Sequence, residues 1–304
     1  MSFAPFVKGK KLVLHAFRHG YAIGAFNTTN LEITRAIVDA CKEEKAPIWV
    51  QTSEKAIAYG GLKNLSSIAR NLCQEARIPA VLHLDHGHTL QHAKACLNAG
   101  YSSIMLDASS RPWKQNVKLT REAAQLAHRA GASAEGELGM LGREQRAYTE
   151  PSEALEFIRL TNVDYLAVAI GTQHGAFKLK AKEKIDLKRL REIHSTVSVP
   201  LVLHGASSVS KKTVKTANKF GAKLKGLRGI PENDLRKAIR CGIAKINIDT
   251  DLRLAFSTGL RQFLTENPQS YDIRECMSFA TEHVKAEVKH KIELFGMKNK
   301  AKRL

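Results

Sequence analysis

Ala80-Val81-Leu82-His83-Leu84-Asp85-His86-Gly87 is a short, mostly apolar run that ends in a histidine–glycine pair. Its length suits a buried strand, since strands of this kind run to about four to eight residues and helices need about ten or more. The construction returns twice: Tyr165 through Ile170 leads into Gly171-Thr172-Gln173-His174-Gly175, and Pro200-Leu201-Val202-Leu203 ends in His204-Gly205. Three buried strands that each deliver a histidine to one rim make a metal site with an open position. That openness separates catalytic zinc from structural zinc, which is closed by four protein ligands. The dipeptide alone carries no such meaning, because His19-Gly20 precedes an apolar run instead of closing one.

Outward from these runs, strand character recurs at Ala22–Phe26, Pro47–Thr52, Ser103–Asp107, Ser133–Leu138 and Lys245–Thr250, making eight strands with Ala80–Asp85, Tyr165–Gly171 and Pro200–His204. Between them lie segments with apolar residues at helical spacing: Leu31–Cys41, Leu62–Glu75, Leu90–Ala99, Asn116–Ala130, Pro151–Leu160, Leu187–His194 and Glu232–Arg240. Alternating β and α elements with near-continuous apolar strands imply an α/β protein with a parallel sheet, and eight units close most simply into a (β/α)8 TIM barrel. An open doubly wound sheet is the alternative, but its GxGxxG loop after the first strand is missing. No linker breaks residues 1–304, which read as a single barrel domain with extra C-terminal helices at Leu252–Leu264 and Ala280–Leu294. The stretch Lys211–Gly229 reads as a long surface excursion.

Composition narrows the setting. A hydrophobic content of 43% supports a sizeable core, and no segment reaches the ~18 apolar residues of a membrane helix. Cys41, Cys73, Cys96, Cys241 and Cys276 are odd in number and lack CxxC spacing, so they read as reduced thiols, and with no secretory leader the expected location is cytoplasmic. The net charge of +19 attracts anions, among them phosphorylated metabolites and nucleic acid. It is dispersed along helices and the tail Lys298–Arg303 with few aromatics between, which favours a solvated basic surface over a nucleic-acid footprint.

In a barrel the chemistry sits at the C-terminal ends of the strands, where His86, His174 and His204 all fall. Asp85 precedes His86, and strand alternation would aim the two side chains differently, one at a metal and one at a substrate. A carboxylate beside a Lewis acid is a candidate acid/base, with orientation of a histidine as the alternative role. Gly205-Ala206-Ser207-Ser208 and Asn247-Ile248-Asp249-Thr250 follow the seventh strand and close the eighth, the usual place for a barrel phosphate site, and Lys178 offers countercharge.

The runs "YAIGAFNTTNLE", "LHLDHG", "SAEGELG", "LAVAIGTQHGAFK", "LVLHGASS" and "KINIDTDLRLAF" resemble, in order and from about Gly20 to Gly296, the class II metal-dependent fructose-1,6-bisphosphate aldolases and their tagatose-bisphosphate relatives. The resemblance implies a zinc-dependent lyase of glycolysis and gluconeogenesis, a homodimer or homotetramer, acting on a ketose bisphosphate and triose phosphates. It makes His86, His174 and His204 the zinc ligands and Asp85 the catalytic carboxylate. Gly175, Lys178, Gly205, Ser207, Asn247 and Thr250 would hold dihydroxyacetone phosphate, Asn27 and Ser53 would line the pocket, and Asp249 and Arg253 would meet the aldehyde half. Asp107 and Glu137 fall where some members bind a second divalent metal or a monovalent cation; hydrogen-bonding carboxylates at the rim are the alternative. The family's proton-exchanging glutamate sits on a loop after the fifth strand, in a Gly-Gly-x-Glu-Asp-like run. Here that run reads Gly139-Met140-Leu141-Gly142-Arg143-Glu144-Gln145-Arg146, shorter than the family's, with Glu144 the nearest acid. A class I mechanism would need a Schiff-base lysine, and Lys245 opens the eighth strand at the wrong end for it. "KLKGLRGIPENDL" and "NIDTDLRLAF" lean toward the fructose branch, with tagatose 1,6-bisphosphate as the alternative substrate. A basic binding protein of reduced activity is the alternative function.

Overall fold

A computed structural model describes residues 6–139, 148–172 and 185–301. The strands β1 (Ile23–Asn27), β2 (Ile48–Ser53), β3 (Ala80–Gly87), β4 (Ser103–Leu106), β5 (Ser133–Leu138), β6 (Tyr165–Val168), β7 (Leu201–Leu203) and β8 (Ile243–Ile248) lie side by side in chain order. All pairings are parallel, and β8 returns to β1 with Ile23 opposite Lys245 and Ala25 opposite Asn247, closing a (β/α)8 barrel.

Around it run α1 (Gly9–Arg18), α2 (Leu31–Glu43), α3 (Glu54–Gly60), α4 (Leu62–Ala76), α5 (Leu90–Asn98), α6 (Trp113–Arg129), α7 (Pro151–Thr161), α8 (Leu187–Thr196), α9 (Lys211–Lys219) and α10 (Glu232–Arg240). Two C-terminal helices, α11 (Thr250–Glu266) and α12 (Ile273–Phe295), pack on each other, and α12 also lies on α2. Side chains cap several helix starts: Asn30 accepts from the Ile33 N–H, Thr89 from His92 and Asp186 from Arg189, each satisfying a donor that has no partner within its helix.

Three features depart from the sequence expectation. First, Lys211–Gly229 is not simply an excursion: it opens with α9, whose lysines mask a helix that buries only Ala217 and is capped by Ser210. Second, α1 forms where a basic run concealed the apolar stripe of Leu12, Val13 and Ala16. Its first residue, Gly9, approaches the barrel floor so closely that a Cβ there would stand 2.7 Å from the Tyr165 hydroxyl and 2.9 Å from the Trp49 ring. Third, the barrel interior is far from apolar. Gln51, His83, Glu135 and Lys245 are all fully buried, and Lys245 of β8 reaches Glu135 of β5 across the lumen. Lys245 is thus the third residue of its strand and points inward, whereas the sequence put it at the strand's start. The outward positions of the same strands pack apolar side chains against the helices, which is why the runs read as hydrophobic.

The C-terminal end straps back onto the beginning of the barrel. The Ala22 N–H donates to the Phe295 carbonyl at 3.1 Å, and the Asn299 and Ala301 N–H groups donate to Glu44 and Lys45 just beyond α2 at 3.0 and 2.9 Å. Among the described residues no helix is long and apolar enough to cross a membrane.

Candidate metal centre and active-site rim

Strand β3 ends irregularly. Its register with β4 shifts between Leu84 and Gly87, and His86 takes a left-handed backbone with φ of +50°. Simple alternation would send Asp85 and His86 to opposite faces; the irregularity instead brings both to one cluster, with His86 Nε2 3.9 Å from Asp85 Oδ1. Left-handed backbone is uncommon for a residue with a side chain, and such strain gathers at functional sites.

His86 Nδ1 lies 2.8 Å from Asp107 Oδ2, just past β4. Asp107 is itself held by the Ser109 N–H and hydroxyl, which donate to its Oδ1 at 3.0 and 2.7 Å. From β7, the buried His204 places Nδ1 3.0 Å from His86 Nε2 and Nε2 2.7 Å from Glu135 Oε1. Each ring therefore gives one nitrogen to a carboxylate and turns the other toward its neighbour. A third group enters from β5: Glu137 Oε2, buried and without a well-aligned hydrogen bond, stands 3.1 Å from His204 Nδ1.

Two overlapping sets of donors result. Asp85, His86 and His204 form one; His86, Asp107 and Glu137 form the other, the ligand atoms of each lying within 4.8 Å of one another. Electrostatics point the same way. Burial alone would lower the His86 pKa, yet Asp85, Asp107 and Glu137 outweigh it and push it up to about 10. For His204 too, burial is overridden by Glu135 and Glu137, and its pKa rises. A pocket with this surplus of carboxylate draws positive charge onto itself, as protons on the imidazoles or as a divalent cation in their place, held by two facing imidazole nitrogens and the Glu137 oxygen beside them.

Asp85 is set differently. Asn27 Nδ2 donates to its Oδ2 at 2.8 Å and Asn247 Nδ2 to its Oδ1 at 2.9 Å. Burial opposes ionisation, but the His86, His204 and Lys245 charges and the Asn27 amide hold its pKa below the ordinary carboxylate value. The result is a buried, ionised carboxylate beside the donor cluster.

The remaining residues singled out by sequence divide four ways. Gly205, with φ of +61°, and the buried Ser207 form the turn beyond His204. Ser53 caps α3, its Oγ accepting from the Ala56 N–H at 3.3 Å. Asp249 and Arg253 pair at 2.9 Å on the exposed first turn of α11, where Thr250 also lies. His174, Gly175, Lys178 and Glu144 lie outside the described residues. Sequence reasoning missed Glu135, Gln51 and Asp251, and set Lys245 aside at the start of its strand. For Glu135 and Lys245 the sequence did hold a sign: polar residues at i and i+2 inside apolar strands, as in His83/Asp85, Glu135/Glu137 and Lys245/Asn247, mark an inward polar face. Asp251, on the first turn of α11, accepts from the Ser208 and Val209 N–H groups at 3.0 and 2.7 Å and so fixes the loop after β7.

A closed parallel barrel with histidines, carboxylates and small-residue loops on its C-terminal rim defines a (β/α)8 enzyme with its chemistry at the strand ends. The family model described as fructose-bisphosphate aldolase class-II matches residues 7–300. The fructose-bisphosphate aldolases of Thermus caldophilus and Helicobacter pylori are 43% and 40% identical to this chain, each alignment covering 97% of the chain and 99% of the relative. Among solved structures, the YdjI aldolase from Escherichia coli K12 superposes with a TM-score of 0.81 at 30% identity, covering 97% of this chain and 99% of that one. The chain belongs to the class II fructose-bisphosphate aldolase family, and it is accordingly a carbon–carbon lyase.

Proposed function

We propose that the chain reversibly cleaves fructose 1,6-bisphosphate to dihydroxyacetone phosphate and glyceraldehyde 3-phosphate, with zinc held by His86, His174 and His204. The observation that carries this is the convergence of His86 Nε2 and His204 Nδ1, 3.0 Å apart, beside a carboxylate gripped by two amides. When bound, zinc supplies an electrophile for the negative charge that develops as the carbon–carbon bond breaks.

The protein's own groups do the rest. Asp85 takes the proton of the C4 hydroxyl during cleavage and returns it during condensation, and the Asn27 and Asn247 amides hold its two oxygens. The turn Gly205–Ser208 and the start of α11 at Thr250 offer N–H and hydroxyl donors to a phosphate, with Lys178 as countercharge. Glu144, the nearest acid to the family's position, exchanges the proton at the carbon next to the ketone. Asp107 and Glu137 take a second cation when one is present, and Asp249 with Arg253 contacts the aldehyde half. The enzyme works as a cytoplasmic homodimer or homotetramer.

Coupled cleavage assays with fructose and tagatose 1,6-bisphosphates, with and without chelator, test the reading. Preferred cleavage of the fructose epimer, abolished by chelation and restored by zinc, is expected. Cleavage that survives chelation, or inactivation by borohydride through a trapped lysine adduct, would overturn it.

A further inference from the structure

We propose that Lys245 is a positioning residue that sets two reactive groups at once, the His204 imidazole and the Asp85 carboxylate; the inference rests on the metal-dependent reading of the rim. Its ammonium is fully buried and lies 5.2 Å from the centroid of the Trp49 ring. It donates to Glu135 Oε2 at 2.8 Å and to Asn247 Oδ1 at 2.7 Å. A buried charge of this kind is costly without a partner, and Glu135 is that partner.

The two hydrogen bonds have different consequences. Through the first, Glu135 is anchored by its Oε2 and presents Oε1 to His204 Nε2 at 2.7 Å, so that nitrogen is taken up by the carboxylate and faces away from the cluster. That turns Nδ1 toward the donor cluster, 3.0 Å from His86 Nε2 and 3.1 Å from Glu137 Oε2. Through the second, the ammonium has no lone pair to offer, so the amide of Asn247 must present its oxygen to Lys245 and its NH2 to Asp85. Flipping that amide would set an oxygen against a carboxylate. One cation thus fixes which atom of His204 is the ligand and which end of Asn247 meets the base. Second contacts of this type are commonly worth 10- to 100-fold in metal affinity or activity.

The rival account is an ion pair that only stabilises the barrel, and the double variant Glu135→Gln/Lys245→Met separates the two because it removes both charges together. Zinc affinity is measured by chelator competition alongside thermal unfolding, and the histidine ring nitrogens are followed by 15N NMR. In the zinc-loaded parent, His204 is expected to coordinate through Nδ1 with Nε2 protonated. The double variant, folded, is expected to bind zinc about 10- to 100-fold more weakly and to lose kcat by a similar factor. Coordination of the parent's His204 through Nε2 would overturn the inference whether or not any variant folds. A folded double variant with the parent's zinc affinity and kcat would overturn it too, leaving the metal-dependent reading intact. A parent that binds no zinc would overturn both.

Discussion

The base proposed here, Asp85, is held by groups from other strands. Asn27 on β1 and Asn247 on β8 donate to its two oxygens, and the His86, His204 and Lys245 charges together with the Asn27 amide keep the carboxylate ionised where burial alone would favour its protonated form. Asp85→Asn is therefore expected to lower kcat by about 10²- to 10⁴-fold with circular dichroism unchanged, and a loss below tenfold would move the acid/base role elsewhere. The histidines show what was and was not legible at this scale. That His86 and His204 sit at strand ends followed from the apolar runs before them. That Asp85 stands beside the His86 site was expected too; the backbone that allows it was not, because a left-handed residue at an irregular strand end leaves no mark in the sequence. His83, two residues earlier, is buried and, with Lys245 adding to the effect of burial, its pKa falls to about 3, so it stays neutral beside the cluster.

At the scale of elements, the loop after β7 depends on its neighbours. Asp251 holds the Ser208 and Val209 N–H groups, Lys291 of α12 pairs with Asp251 at 3.1 Å, and the backbone at Gly229 passes over the loop. A Cβ at Gly229 would stand 2.3 Å from the Ser207 carbonyl oxygen and from the Ser208 carbonyl carbon, both backbone atoms with little room to move. Gly229→Ala is expected to raise KM for the bisphosphate about tenfold, near 1.4 kcal/mol, with zinc affinity unchanged; an unaltered KM would show that this loop does not grip the phosphate. Eight strands and most helices were readable from periodicity, because apolar spacing is a local property. The helices α1, α3 and α9 were not: basic residues outweigh a narrow buried stripe in α1 and α9, and α3 is too short to show a period. Charged residues inside the lumen escaped notice for the opposite reason: apolar outward neighbours hide them in the sequence.

At the scale of the whole molecule, the proposed metal would be linked to the fold. A ligand that binds only the folded state stabilises it by about 2.7 kcal/mol at one hundred times its Kd. Calorimetry with increasing zinc should therefore show a rising Tm that chelator reverses, and a zinc-independent Tm would argue against His86 and His204 as ligands. Closure of the barrel was legible from the count of units, while its seam was not, because pairing between the first and last strands leaves no local mark. Ile23 has Lys245 as its register partner, and Ala22 hydrogen-bonds to Phe295. During synthesis the first strand must leave the ribosome with one edge bare and wait for nearly the entire polypeptide before its last neighbour arrives. Until then the nascent chain carries an exposed strand edge, the kind of surface that invites aggregation, so its folding rate is set by the slowest and most distant pairing it makes.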